Sequence, residues 1–383
     1  MTELPAEKER NLGLDALKLF SMFLIVLLHV LGQGGVLTAC PFGTVRGETA
    51  WLLEIVGYCS VDCFGLASGY VMAGRQVHYR RIVGLWLQVV FWMLAGTAVF
   101  AVLQPGTVGL SDWLSCLFPV VTKRYWYFTC YFGLFFFMPL LNRALETLSR
   151  AACRRLVLTA AALFSLLPCL LVLRVFLPAL PHPDVFVTNS GYSLLWLAAL
   201  YLTGGYCKKY HLALQWRRRT LALAFLGAIA LTWLSRYAIG SLTLRLYGET
   251  AEENFFVSYT APGILLASVC LLLLAARLRP RGLWAGLIRV FSPMAFGVYL
   301  IHTQPLVFER ALKGAFAGFA AHSAPLLALL TLAAALGIFL ACLLLDGLRS
   351  RLFRLLRLDR LAARAADGFQ KKADADGFSG PNG

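Results

Sequence analysis

Apolar residues along the 383-residue chain gather into about ten runs, each long enough to cross a hydrocarbon core, which takes roughly 20 residues of helix. They fall near residues 14–34, 51–73, 82–103, 125–142, 156–177, 192–207, 219–239, 260–276, 286–308 and 324–346, separated by charged clusters or Pro/Gly breaks. The pattern predicts an all-α polytopic membrane protein of about ten transmembrane helices. Composition agrees: 59% of residues are hydrophobic and 14% charged, against roughly 45–50% and about 25% in a soluble domain. A soluble enzyme is excluded on these grounds.

The net charge of +16, from 35 Lys and Arg against 19 Asp and Glu, would point to nucleic acid in a soluble protein. Here its distribution reads as topology. Alternate connections hold the basic residues: Lys8 and Arg10; Arg75, Arg80 and Arg81; Arg150, Arg154 and Arg155; Lys208 and Lys209; Arg277, Arg279 and Arg281. The other set, with Lys123, Arg124, Arg236 and Arg310, is sparse. The positive-inside bias therefore places both termini in the cytoplasm and makes the span count even. The lipid bilayer is an expected partner and nucleic acid is not. The first run is expected to stay as an uncleaved signal anchor, and Gly109–Thr122 to form an interfacial or re-entrant piece. Two longer loops are expected on the outside, 178–191 and 236–259. The division expected is a transmembrane domain over 1–347, then a segment over 348–383 that begins as a basic amphipathic helix on the inner leaflet and ends in a disordered polar tail. The ten cysteines show no metal-ligand or disulfide spacing.

Ionisable residues inside a span cost roughly 2.5–3.5 kcal/mol each on the insertion scale, so each is a functional candidate. In the first span Lys18 and His29 are separated by ten residues, which puts them on one helical stripe about 16 Å apart, with Asp15 and Asn11 nearby. His29, deep in an aliphatic run, must hydrogen-bond or line a wet cavity, and imidazole suits a general base. Asp62, in the second span, requires a partner, with a histidine or buried cation the obvious one; the adjoining Ser68 and Gly69 read as helix packing. Arg75, Arg80 and Arg81 follow, explained by topology or as a phosphate clamp. Trp126 and Tyr127 open the fourth span, either as an aromatic belt or as a platform for a sugar ring. His302, with Tyr299 one turn earlier, reaches a depth matching His29, so the two histidines are expected in one site.

With these residues in view the chain resembles the membrane acyltransferase-3 family, ten-span enzymes that acylate bacterial surface glycans and related acceptors. The resemblance rests on Lys18 and His29; on Asp62, Phe64, Ser68, Gly69 and Tyr70, followed by Arg80 and Arg81; on Trp126 and Tyr127; and on Ser292, Gly297, Tyr299, Leu300, Ile301 and His302. Together, in this order, they cover about 300 residues. Lys18 stands where the family often has Arg, keeping the charge without the bidentate fork. The family's frequent extracytoplasmic hydrolase-like domain is replaced here by a short basic tail, so that any second, extracytoplasmic component would be a separate partner.

The resemblance implies transfer of an acyl group, acetyl by default, from cytoplasmic acyl-CoA to a hydroxyl of a surface polysaccharide or lipid-linked saccharide in a bacterial plasma membrane. Lys18, Arg80 and Arg81 would meet the CoA phosphates. His29 would act as base or covalent acyl carrier, with Asp62 or Asp15 orienting its other nitrogen, and Tyr299 or His302 would donate to the oxyanion. Asp15, Trp126 and Tyr127 would contact substrate. No P-loop, dinucleotide fingerprint or metal-ligand cluster stands in the sequence, so no tightly bound cofactor and no metal are expected beyond CoA as donor. The competing class is a multi-pass transporter or exporter of a polar small molecule or glycan, for which buried polar residues would line a pathway. No internal repeat supports it. A third class, an assembly or export partner without catalysis, would tolerate replacement of His29 or Asp62.

Overall fold

Asn11 opens the first helix. Its side-chain oxygen accepts from the backbone N–H groups of Gly13 at 3.0 Å and Leu14 at 3.3 Å, satisfying two of the donors that a helix start leaves unpaired. Its amide nitrogen donates to Ala276 O at 3.1 Å, which fixes this end of the helix against a distant one. The computed structural model describes residues 10–177, 179–180 and 184–375; Lys8, parts of the expected loop 178–191 and residues 376–383 of the expected polar tail lie outside the described residues.

The helices are α1 (Leu12–Leu31), α2 (Val45–Met72), α3 (Tyr79–Leu103), α4 (Leu110–Leu117), α5 (Trp126–Thr147) and α6 (Arg150–Val175). After them come α7 (Leu194–Lys209), α8 (Arg218–Tyr247), α9 (Pro262–Ala276), α10 (Gly282–His302), α11 (Ala324–Leu355) and α12 (Leu358–Ala375). No strand occurs among the described residues. Eight of the helices, α1, α2, α3, α5, α6, α8, α10 and α11, are long and apolar enough to cross a membrane. The other two expected spans coincide with α7 and α9, of 16 and 15 residues. At about 1.5 Å per residue these reach only ~24 and ~22 Å, and both pack against α2.

The centre of the bundle is α2, in contact with α1, α7, α8, α9 and α11. Lipid is as apolar as leucine, so association of such helices relies on close fit rather than on hydrophobic burial. Gly69 and Gly204 supply that fit: a Cβ on either would stand 1.9 Å from a carbonyl oxygen, that of Tyr201 or of Leu66. The Ser-Gly step that reads as packing in the sequence is where α2 and α7 meet backbone to backbone. On the outside, Leu223, Leu226, Leu231 and Leu234 of α8 are exposed, as a lipid-facing stripe requires.

Proline sets two irregularities. Pro168 lacks the N–H for the helical ladder; α6 widens into a π turn over Ala162–Leu166 and tightens into a 3-10 turn over Leu167–Val175. Pro293 likewise places the 3-10 turn Ser292–Met294 inside α10.

Several boundaries differ from the sequence pattern. The expected loop 236–259 is shorter, because α8 continues to Tyr247 and stops at Gly248, whose φ of +79° suits the left-handed cap. Arg236 is thus inside a helix, 2% exposed. It is tolerated there because Nη1 donates to Glu48 at 3.2 and 3.1 Å and the guanidinium lies 4.2 Å over the Trp51 ring. The ninth expected run ends at His302 rather than 308, where Gln304 caps a new turn by accepting from Leu306 N and Val307 N at 2.8 and 3.0 Å. The piece between α3 and α5 is α4, an eight-residue helix whose exposed Leu110, Trp113 and Leu114 suit an interface. Residues 348–355 are not a separate surface helix but the end of α11; α12 follows, packed against α3.

Arg10, Arg75, Arg81 and Lys208 converge at the end of the bundle where α1 begins. This is the basic end, and the ends of α1, α6 and α8 mark the opposite one.

Candidate active site

Two histidines that are 273 residues apart in sequence meet toward the opposite end. His29 sits in the last turn of α1 and His302 closes α10, and the His29 Nδ1 to His302 Nε2 distance is 2.9 Å. The remaining nitrogen of His302 faces a carbonyl, Val298 O at 2.6 Å. A carbonyl only accepts, so His302 Nδ1 carries the proton. In the neutral pair His302 Nε2 is then the acceptor, His29 Nδ1 the donor, and His29 Nε2 bears a lone pair. That nitrogen has no hydrogen-bond partner among the described residues and is not among the sealed, unpaired polar atoms. His29 is half-buried, with the Phe308 ring 5.1 Å away.

The orienting group on His29 is therefore His302, not a carboxylate. Asp62, fully buried, accepts from Trp196 Nε1 at 3.0 Å, while its Oδ2 has no partner. The expected histidine or cation beside it is replaced by an indole. Asp15 lies at the basic end, bonded to Arg10 Nε and 3.6 Å from Lys18 Nζ. His302 has no N–H left to offer an oxyanion, because its one proton goes to Val298 O. Tyr299, one turn earlier, is buried against the rings of Tyr125, Tyr127 and Phe296.

Lys18 opens into a cavity of about 580 Å³ at the basic end. Arg10, Lys18, Arg75, Arg81 and Lys208 line it, with Asp15 the one acid in the wall among the described residues. Arg10 Nη2 also donates to Ser292 Oγ at 2.7 Å, linking α1 to the kink of α10; Lys208 Nζ donates to Ala73 O at 2.6 Å. Such a wall of guanidinium and ammonium groups suits several phosphates at once. Arg80 diverges from Lys18: it lines a neighbouring cavity with His78, Arg349 and the α12 residues Ala366 and Gln370, which Arg81 also borders. Arg10 and Lys208 belong to the cavity although each reads in the sequence as topology alone, and Arg75 joins them from the arginine cluster that reads as topology or a phosphate clamp.

Trp126 and Tyr127 belong to a run of touching rings. Trp126 contacts Tyr127, Tyr192 and Tyr259, and Tyr127 contacts Phe64, Tyr131 and Tyr299. Burial, reinforced by the Tyr192 and Tyr58 hydroxyls, pushes the Tyr259 hydroxyl well above its usual range, so it remains a hydrogen-bond donor.

Two buried carboxyls stand outside the motifs. Glu54 is 7% exposed, with Oε2 unpaired. Asp346 is fully paired: it accepts from Gln88 Nε2 at 3.0 Å, Trp92 Nε1 at 2.9 Å and Arg349 at 2.9 and 2.8 Å. The signal for both is a carboxyl inside an apolar run. Asp346 also accounts for Gly297, since a Cβ there would lie 2.0 Å from the Asp346 carboxyl carbon.

Residues 11–347 match the family model described as an acyltransferase domain. No curated protein and no solved structure matches the chain.

Proposed function

Because the chain belongs to the membrane acyltransferase-3 family, we propose that it moves an acyl group, acetyl by default, from acyl-CoA at the basic end to a hydroxyl of a glycan or lipid-linked saccharide reaching the histidine pair from the opposite end. The observation that carries this reading is one helix, α1, with Lys18 in a polycationic cavity at its start and the His29 lone pair about 16 Å further on. An extended pantetheine arm covers that length, placing the thioester at the imidazole while the phosphates stay with Lys18, Arg81 and Arg10. The positive-inside bias favours the basic end as the cytoplasmic one, in the plasma membrane of a bacterium. A separate extracytoplasmic partner remains part of the proposal only if the acylated acceptor is passed on.

The chemistry follows from the proton inventory. His29 Nε2 removes the acceptor hydroxyl proton as the oxygen attacks the thioester carbonyl. The resulting imidazolium is stabilised because its Nδ1–H already points at His302 Nε2, which Val298 O holds in the accepting tautomer. Collapse of the tetrahedral intermediate breaks the C–S bond, and the CoA thiolate takes the proton back from His29. Direct transfer needs no carboxylate in the relay, and Asp62 acts through Trp196 as a positioning group. Tyr299 is the remaining candidate of the motif for an oxyanion donor.

The test is release of CoA thiol from acetyl-CoA by the full-length protein in membranes, with and without added saccharide. Release that rises with saccharide supports transfer; saccharide-independent release, or none with several acyl-CoAs, contradicts it.

A further inference from the structure

A further cavity, of about 460 Å³, opens at the basic end beside the one that holds Lys18, and Arg10 and Asn11 border both. Arg10, Arg279, Arg281 and Arg289 line it, and among the described residues no acid does. Arg10 is engaged elsewhere, with Asp15 and with Ser292 Oγ. Arg279 is held in place by Nη1, which donates to Ala276 O at 2.9 Å and Leu278 O at 3.0 Å. The side chains of Arg281 and Arg289 have no partner among the described residues. Arg281 also stands at the N-terminal cap of α10, which no side chain caps, so the helix start adds partial positive charge beside the three guanidinium groups. Guanidinium groups gathered without a counter-charge repel one another until an anion joins them, and their forked N–H donors match a phosphate.

The two faces of α10 show where that phosphate comes from. Counted at 100° per residue, Ala285, Arg289 and Ser292 fall within about 80° of Arg281. Ala285 is buried and Ser292 bonds to Arg10, so this face meets α1. Leu283, Leu287 and Val290 fall at about 180–240°, on the opposite face. All three are exposed, as is Trp284. On a helix long and apolar enough to cross a membrane, such a stripe lies against lipid, and an indole suits the headgroup level. Leu12 and Leu278 add apolar surface to the cavity wall itself. A phosphate-gripping wall joined to a lipid-facing stripe is the pattern of a phospholipid rather than of a soluble phosphate. With three guanidinium groups and no acid, the wall repels the ammonium of a zwitterionic headgroup and favours an anionic one.

We propose that this cavity binds the headgroup of one anionic phospholipid from the leaflet at the basic end, with Arg279, Arg281 and Arg289 on its phosphate and its chains along Leu283, Leu287 and Val290. The site stands whether or not the protein transfers acyl groups.

The test is native mass spectrometry of the full-length protein in uncharged detergent, titrated with phosphatidylglycerol, phosphatidylcholine or glycerol phosphate, with CoA binding measured by calorimetry on the same samples. Wild type should take up one phosphatidylglycerol at least tenfold more tightly than phosphatidylcholine, a comparison that needs no variant. Joint replacement Arg281→Gln and Arg289→Gln should abolish that preference and leave the Kd of CoA within twofold; thermal melts report folding. Arg154→Gln with Arg155→Gln, the same loss of charge on α6, should keep the preference. Four results overturn the proposal. Wild type without a preference for phosphatidylglycerol has no such site. An equal loss in the α6 variant shows attraction to diffuse charge. Displacement of the lipid by glycerol phosphate at equal concentration shows a site for free phosphate. A rise in the CoA Kd that matches the loss of lipid shows that CoA phosphates occupy the cavity.

Discussion

His29 Nδ1 lies 2.9 Å from His302 Nε2, and the Val298 carbonyl, 2.6 Å from the far nitrogen of His302, fixes which partner donates. A single backbone oxygen thus sets the tautomer of both rings and leaves the outward nitrogen of His29 unprotonated.

His302→Gln keeps an acceptor near the Nε2 position, whereas His302→Leu removes it. We expect kcat to fall by about 10²-fold in the Leu variant, within the ~10²–10⁴ range of general-base contributions, and by much less in the Gln variant. KM for acyl-CoA should change little in either, as steady-state kinetics on purified protein would record. A KM effect without a kcat effect would show that His302 serves donor binding instead.

Arg80 and Arg81 are adjacent in sequence yet only Arg81 shares the cavity with Lys18. Loss of a charge-assisted phosphate contact is worth about 1.5–3 kcal/mol. Arg81→Ala and Lys18→Ala should therefore each raise the Kd of CoA at least tenfold by calorimetry. Arg80→Ala should stay within a few-fold of wild type.

Most of this frame was legible from the residues. The ten apolar runs correspond to the eight long helices plus α7 and α9, because lipid leaves a helix no alternative to apolar length. The meeting of His29 and His302 followed from matching depths. What was not legible depends on rotation and partner choice. Lys18 and Arg10 could be placed near the basic end, but not that Asp15 pairs with both. Asp62 was recognisable as buried, but an indole on α7 is as good a donor as a cation, and only geometry selects Trp196. Arg236 looked like a loop residue because its compensating Glu48 and Trp51 lie on another helix.

Asp62→Asn retains the Oδ1 acceptor for Trp196, so the fold and most of the activity should survive. Asp62→Leu leaves the indole N–H unpaired in the core, at a cost of about 1–3 kcal/mol. Thermal unfolding should rank wild type and Asn together above Leu. An Asn variant that is stable but inactive would give Asp62 a role in the chemistry.

Gly297→Ala would drive a methyl group to 2.0 Å from the Asp346 carboxyl carbon. This should displace α10 from α11 and lower both stability and kcat. Asp346→Ala would remove the carboxyl group but leave its own Cβ 2.6 Å from the new methyl group, and it would strand the donors of Gln88, Trp92 and Arg349. The double variant should therefore recover only in part, as thermal melts and transfer rates on the same samples would show.

The central claim is that the lone pair of His29 takes the acceptor proton. Its direct test is transfer of radiolabelled acetyl from acetyl-CoA to surface glycan in membranes carrying wild type or His29→Ala at matched expression. The account predicts label in the glycan with wild type and loss of at least 10²-fold with His29→Ala, CoA binding being retained. Equal labelling by the two proteins would contradict it.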